Sequence, residues 1–268
     1  MLNDLILLIY QLYVMPLPPP YSLEISALIK LCQFLEITPG AVRTAVSRMK
    51  SQGILSVKKE KKESFYTLSP KALIAREGFN KKVFVGEDIY LNWENDWWLV
   101  SCAFEKKNSG KRQKLANLLQ EKGFGRLHRG LWLKPVDPYL WLEREIEKIG
   151  LKDEVTIFAT KVSSPEKAVS MARQIWPMQE MAAEFNVLEG QLRERTIEYR
   201  NWDDQNCFVH QIDLFNQFAA PLVRFPIIPP SLLADDWPGL TYRELFNRTN
   251  ERLMLRSRRF IQNAIRAT

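Results

Sequence analysis

The sequence predicts an α+β chain in three parts: an N-terminal winged helix-turn-helix, a central ferredoxin-like βαββαβ domain and a C-terminal helical domain. Three patterns predict it. Near the N-terminus, helical stretches precede two short strand-like runs joined by a lysine-rich turn. In the middle, strand-like and helix-like segments follow the order β-α-β-β-α-β, that of the split βαβ motif. From Pro165 onward, apolar residues recur at helical spacing between breaks at Pro177, Pro221, Pro226, Pro229, Pro230 and Pro238. The expected domains are 1–78, 79–176 and 177–268.

In the first part, Leu5, Leu8, Ile9, Leu12 and Tyr13 lie at helical spacing, so one face of the first helix packs inward. The run Pro16-Leu17-Pro18-Pro19-Pro20 must stop it, because proline has no amide donor and clashes with the preceding turn. Ser22 is expected to cap a second helix carrying Leu23, Ala27, Leu28 and Leu31 on its inner side. Thr38-Pro39 places a capping threonine before a proline at the first helical position, and opens a third helix to about Gln52. Gly53 suits the left-handed position after that helix. Ile54 to Val57 and Ser64 to Leu68 are then the two wing strands.

In the central part, Trp97 to Phe104 is the first expected strand, after a link over 79–96. A helix from about Lys111 to Lys122 follows, with Leu115, Leu118 and Leu119 as its stripe. The stretch Arg126 to Pro135 holds two short strands, Asp137-Pro138 opens a helix to about Ile149, and Val155 to Thr160 is the last strand. The C-terminal helices are expected over roughly 165–175, 178–200, 205–224 and 241–266.

Composition narrows the function. The chain has 268 residues, with 46% hydrophobic residues and a net charge of +7, a balance that favours polyanionic partners. Three scattered cysteines, Cys32, Cys102 and Cys207, and two histidines give neither a disulfide framework nor a zinc site; a cytoplasmic setting is expected. Met1 to Val14 lacks a basic leader and is too short to span a bilayer, so it is expected to be a buried helix with no membrane role. No phosphate-binding loop, nucleophile elbow or HExxH pair occurs. No catalytic residue, metal or cofactor is therefore expected.

The third helix carries the sharpest chemical signal. Val42, Ala45, Val46 and Met49 recur at i, i+3, i+4 and i+7 and form one apolar face. The opposite side shows Arg43, Thr44, Ser47, Arg48, Lys50 and Ser51, all hydrogen-bond donors, and the helix has no carboxylate. An α-helix fits the major groove of duplex DNA, and arginine can grip a guanine edge with two bonds. Arg43, Thr44 and Ser47 are the candidate base readers; Thr38, Arg48 and Lys50 are candidates for positioning the helix on phosphates. Lys58, Lys59, Lys61 and Lys62 give the wing a basic tip for the phosphate backbone or minor groove, tempered by Glu60 and Glu63. The bland alternative is a solvated polar face and a solvated turn. Elsewhere, Arg243, Arg248, Arg252, Arg256, Arg258, Arg259 and Arg266 make the last helix basic, most simply a solvated or salt-bridged surface. Arg126, His128 and Trp132 are weak candidates for touching a ligand. Trp97, Trp98, Trp132 and Trp141 either line an aryl pocket or, more simply, fill the central core.

With these residues in view, the chain resembles the PaaX family, the phenylacetic acid degradation repressors. Pro39 to Met49 is similar to that family's V-R-T-A-[LV]-S-R-[LM] recognition helix, and Gly53-Ile54-Leu55 and Ser64 to Leu68 occupy its wing strands. Gly123-Phe124-Gly125-Arg126-Leu127 and Gly130 to Pro135 look like its central G-F-G-x-L and G-[VL]-W-[LI]-x-P segments. Leu232 to Gly239, with Leu245-Phe246 beyond, looks like its L-L-P-x-D-W-P-G…L-F signature. The resemblance implies a homodimer that binds a near-palindromic operator in double-stranded DNA and represses until an acyl-CoA effector, an aryl-CoA thioester, binds. The wing departs from the family's R-x-G-R-like turn, and Ile228 to Leu232 departs from its D-P-x-L-P segment.

Two readings of another class stay open. The central ferredoxin-like domain resembles that of small CRISPR-associated endonuclease subunits, which would make the chain a metal-dependent nuclease. That chemistry needs clustered carboxylates, and Asp96 stands before a first strand whose interior has none. The other reading is an interaction scaffold that does not touch DNA.

Overall fold

A computed structural model describes residues 2–17, 19, 21–60, 63–90, 93–103, 109–198 and 202–266. The described chain forms two compact units. One comprises Met1–Phe84, Leu188–Ala220 and Arg243–Thr268; the other comprises Val85–Val187 and Pro221–Tyr242.

In the first unit, α1 (Leu2–Ile9) runs into a π-helical turn over Tyr10–Val14. The turn buries Gln11 and Tyr13 beside Leu12 and Val14. Strand β1 (Ser22–Glu24) then leads into α2 (Ile25–Gln33), and α3 (Pro39–Ser51) follows. Ser22 is thus not the cap of a helix, as its side chain had suggested. It is extended and pairs with Thr67, because the strand gains a backbone ladder that outweighs one capping bond. Strands β2 (Leu55–Glu60) and β3 (Glu63–Leu68) form the wing hairpin, and β1 adds to its open side in the order β1-β3-β2. A helix not expected from sequence, α4 (Pro70–Asn80), follows, with Ser69 capping it through Ala72 N at 3.3 Å.

Polar residues tie this unit together from the inside. Tyr13 donates its hydroxyl to Gln211 Oε1 at 2.6 Å, and Gln211 Nε2 donates to Asn250 Oδ1 at 2.7 Å. Gln211 lies on α9 (Asp204–Phe218) and Asn250 on α11 (Pro238–Arg266). Burial pushes the Tyr13 phenol well above its ordinary pKa, so it remains a donor. Arg243, also buried, donates to the carbonyl oxygens of Lys82 and of Val83, the latter at 3.0 Å.

In the second unit, β4 (Asp96–Cys102), α5 (Ser109–Glu121), β5 (Gly125–His128), β6 (Leu131–Lys134), α6 (Tyr139–Ile149) and β7 (Val155–Lys161) follow in the expected order. The sheet is antiparallel with order β5-β6-β4-β7, the ferredoxin-like arrangement. One face packs Val100 and Trp132 against Leu115 and Leu119 of α5 and Leu142 and Ile146 of α6. Toward α7 (Pro165–Ile175), a Cβ on Gly125 would meet Ile175 Cγ1 at 2.5 Å, so only glycine lets that helix approach β5. Trp97 is fully buried and stacks on Trp176 with ring centroids 6.0 Å apart. The remaining helices are α8 (Met178–Glu198), which spans the division between the units, and α10 (Ala220–Arg224). Among the described residues, no helix is long and apolar enough to cross a membrane.

The Tyr13–Gln211–Asn250 chain has a direct test. Gln211→Leu takes the acceptor from the Tyr13 hydroxyl and the donor from the buried Asn250 side-chain carbonyl. It is expected to lower stability by about 2–4 kcal/mol, measured as a shift of the urea unfolding midpoint; a shift below about 0.5 kcal/mol would refute the account.

Candidate nucleic-acid interface

Helix α3 is held from one side and open on the other. Val42, Ala45, Val46 and Met49 are buried, with Met49 at 0% exposure, and pack toward α1, α2 and β2. The turn that aims α3 is short. Cys32 O accepts from Leu35 N and Ile37 N, each at 3.0 Å, while Glu36 takes a left-handed conformation at φ 61°. A non-glycine residue there stores about 1 kcal/mol of strain, which the bonds on either side hold in place. Thr38 then caps α3, its Oγ1 accepting from Ala41 N at 3.4 Å.

The opposite face places Arg43, Thr44, Ser47, Arg48 and Lys50 in solvent together, with Thr38 exposed at its start. They are not equivalent. Thr44 donates its hydroxyl to Gly40 O at 2.9 Å, which leaves its oxygen and methyl outward but commits its proton. Arg48 donates to Asn3 Oδ1 at 2.9 Å, so its guanidinium is fixed toward α1. A fixed guanidinium suits a phosphate at a set place better than a search among base edges. Among the described residues, Arg43, Ser47 and Lys50 have no side-chain partner, and no carboxylate pairs with either cation.

In the wing, Lys58 and Lys59 are exposed near the end of β2. Lys58 Nζ sits 2.7 Å from Glu60 Oε1, and this carboxylate raises the ammonium's pKa while masking part of its field. Lys59 has no such partner among the described residues. Lys61 and Lys62 lie outside the described residues. Glu60 and Glu63 face each other across the hairpin, so like charges sit at its end.

Other candidates sort differently. The basic last helix is largely spoken for: Arg256 Nε lies 2.8 Å and Arg259 Nη2 3.2 Å from Asp204 Oδ1. Asp203 caps α9 through Asn206 N at 2.7 Å. Trp97 and Trp132 are buried, and Trp141 meets Phe124 edge-on, so these indoles pack the central domain. Arg126 lies over the Trp132 ring at 5.8 Å, and both border a cavity of about 410 Å³. His128 is exposed and does not border it. Arg112 and Arg129 do. Sequence reading did not single them out for a ligand, because Arg112 is remote in the chain and only the fold brings it to the hairpin. Asp96 is exposed at the edge of β4 with Lys161 Nζ 3.3 Å away. Among the described residues, no three His, Cys, Asp or Glu side chains gather as a metal site.

The fold and the exposed face of α3 define a winged-helix protein with a ferredoxin-like centre. Three family models match in series: PaaX-like protein over residues 3–72, PaaX protein central Cas2-like domain over 91–172, and PaaX-like protein C-terminal domain over 176–263. The chain belongs to the PaaX-like family. It is 25% identical over 214 residues to the Transcriptional repressor PaaX of Escherichia coli (strain K12). That match covers 76% of this chain and 66% of the repressor, slightly under two thirds of the relative's length. The uncharacterized protein Rv0674 from Mycobacterium tuberculosis shares the fold, with a TM-score of 0.59 at 21% identity over 88% of this chain and 90% of that one.

Met49→Ala tests whether the buried face fixes α3. It is expected to destabilise the protein by about 2–5 kcal/mol, seen by chemical unfolding; a loss under about 1 kcal/mol would mean that α3 is not anchored there.

Proposed function

We propose that the protein is a homodimeric, ligand-responsive repressor of a catabolic operon. It grips a near-palindromic operator with α3 and its wing, and an acyl-CoA effector, such as an aryl-CoA thioester, releases it. The observation that carries the reading is the solvent face of α3, where Arg43, Ser47 and Lys50 stand exposed with no carboxylate among them. Family membership and a relative named as a transcriptional repressor support it.

In this reading different residues do different work. Arg43 and Ser47, in the first half of α3, read base edges, with the Thr44 methyl beside them as an apolar contact. Thr38, Arg48, Lys50, Lys58, Lys59, Lys61 and Lys62 seat the domain on phosphates. In a dimer the two α3 helices must enter half-sites about 34 Å apart, one turn of DNA, or a multiple of that. An effector can weaken binding only by preferring a conformation in which this spacing is wrong. Small rotations at the dimer interface suffice, because two rigid helices must fit at once.

The decisive experiment is a gel shift with DNA from upstream of the protein's own gene, with and without a panel of acyl-CoA thioesters. Retarded DNA that is released by an aryl-CoA thioester supports the reading. Failure of every thioester to change affinity removes the effector, and magnesium-dependent cleavage of the duplex would replace repression with nuclease activity. Arg43→Ala is expected to cost about 1–3 kcal/mol of operator affinity and relax one base position. Lys59→Ala should weaken all sequences alike and reduce the salt slope by about one. Equal losses on all sequences for both variants would show that Arg43 reads no base.

A further inference from the structure

The cavity in the central domain takes no part in the DNA reading, and its composition is unusual. Its walls include Arg112 and Gln113 from α5, Arg126, Arg129 and Trp132 from the β5–β6 hairpin, and Cys102 at the end of β4. Among the described wall residues there is no carboxylate. Among the described residues, none of the three arginines has an ion-pair partner. Part of the wall is apolar, since Leu115 and Trp132 belong to the core beneath. Like charges gathered over a low-dielectric floor repel one another more strongly than on open surface. An anion seated among them relieves that repulsion.

The arrangement is also held in shape. Gly130 has φ +83°, and a Cβ there would meet Cys102 O at 2.5 Å. Cys102 N donates to Gly130 O at 2.7 Å. The hairpin turn is thus clamped on the end of β4, which fixes the backbone that carries Arg129. Arg126 is laid on the Trp132 indole by a cation–π contact. All three cations are arginine, whose planar fork matches two phosphate oxygens at once. Arg112 stands in the first turn of α5, where the helix dipole adds positive potential. Burial pushes the Cys102 thiol up to about 11, so at neutral pH it is uncharged and does not oppose an anion. The volume, about 410 Å³, is that of a small-molecule site.

We propose that this cavity binds the phosphorylated end of a small molecule, a diphosphate or nucleotide, through the forks of Arg112, Arg126 and Arg129. The inference deepens the effector half of the function proposed above and rests on that reading for its regulatory meaning. An acyl-CoA thioester carries a diphosphate and a separate phosphate; a free nucleotide carries the same chemistry without the acyl chain.

The test measures binding to the full-length protein by calorimetry, using pyrophosphate, ATP, coenzyme A and phenylacetyl-CoA, and measures duplex binding separately without ligand. Wild-type protein is expected to bind phosphorylated probes, and the pair Arg112→Gln/Arg129→Gln to lose at least tenfold for each probe. The pair Arg112→Lys/Arg129→Lys, with charge kept and forks lost, should fall between. Both positions of substitution are exposed, and an unchanged thermal midpoint verifies folding. Coenzyme A and its thioester binding far above ATP identifies an acyl-CoA as the source, whereas ATP binding equally identifies a free nucleotide. The proposal is overturned if no phosphorylated probe binds, or if the glutamine pair binds as well as wild type. Loss of duplex binding with phosphate binding intact would sink the DNA reading and leave this site standing.

Discussion

Everything the first unit can do toward a polyanion depends on how firmly the inner side of α3 is seated. Four apolar residues from two successive turns, Val42, Ala45, Val46 and Met49, enter the interior. A helix anchored along one stripe cannot roll, so its polar side has a fixed direction. The cap at Thr38 and the strained turn at Glu36 then set where that side begins. Interior packing and outward chemistry are in this way one constraint, separated by the thickness of a helix.

The two units manage positive charge differently. On α3 the cations are spaced along an open surface, and among the described residues Arg48 alone is tethered, to Asn3. In the central domain three arginines line one concavity. In the last helix, by contrast, Arg256 and Arg259 share Asp204. The net charge of +7 is thus not a uniform coat. Some cations are paired within the fold, and others stand exposed on α3 and around the central cavity.

Much of this was legible in the sequence. Helical period and the Thr38-Pro39 start signal located α3, because both are local. The central strands and helices were legible for the same reason, with glycine and proline marking their ends. Ser22 misled because its capping chemistry is local while its pairing with Thr67 is forty-five residues distant in the chain. Helix α4 was missed because none of its residues is buried, which leaves no apolar stripe to read. The partners of Arg48 and Thr44 were hidden too: exposure is written in periodicity, but a rotamer's hydrogen bond is not. Arg112 and Arg129 meet only after the sheet has formed, so no spacing in the sequence announces their cavity.

The π-helical turn at Tyr10–Val14 gives the first helix a sensitivity that loops lack. Such a turn behaves as a one-residue insertion lodged within a helix. Losing a single residue from it would restore regular winding and leave the helix on either side facing as before, because the widened turn already absorbs the extra residue. The change would fall on the turn itself, where Tyr10, Gln11, Leu12, Tyr13 and Val14 are all buried. A length change that a surface connection would absorb unnoticed is here a repacking of one interior turn.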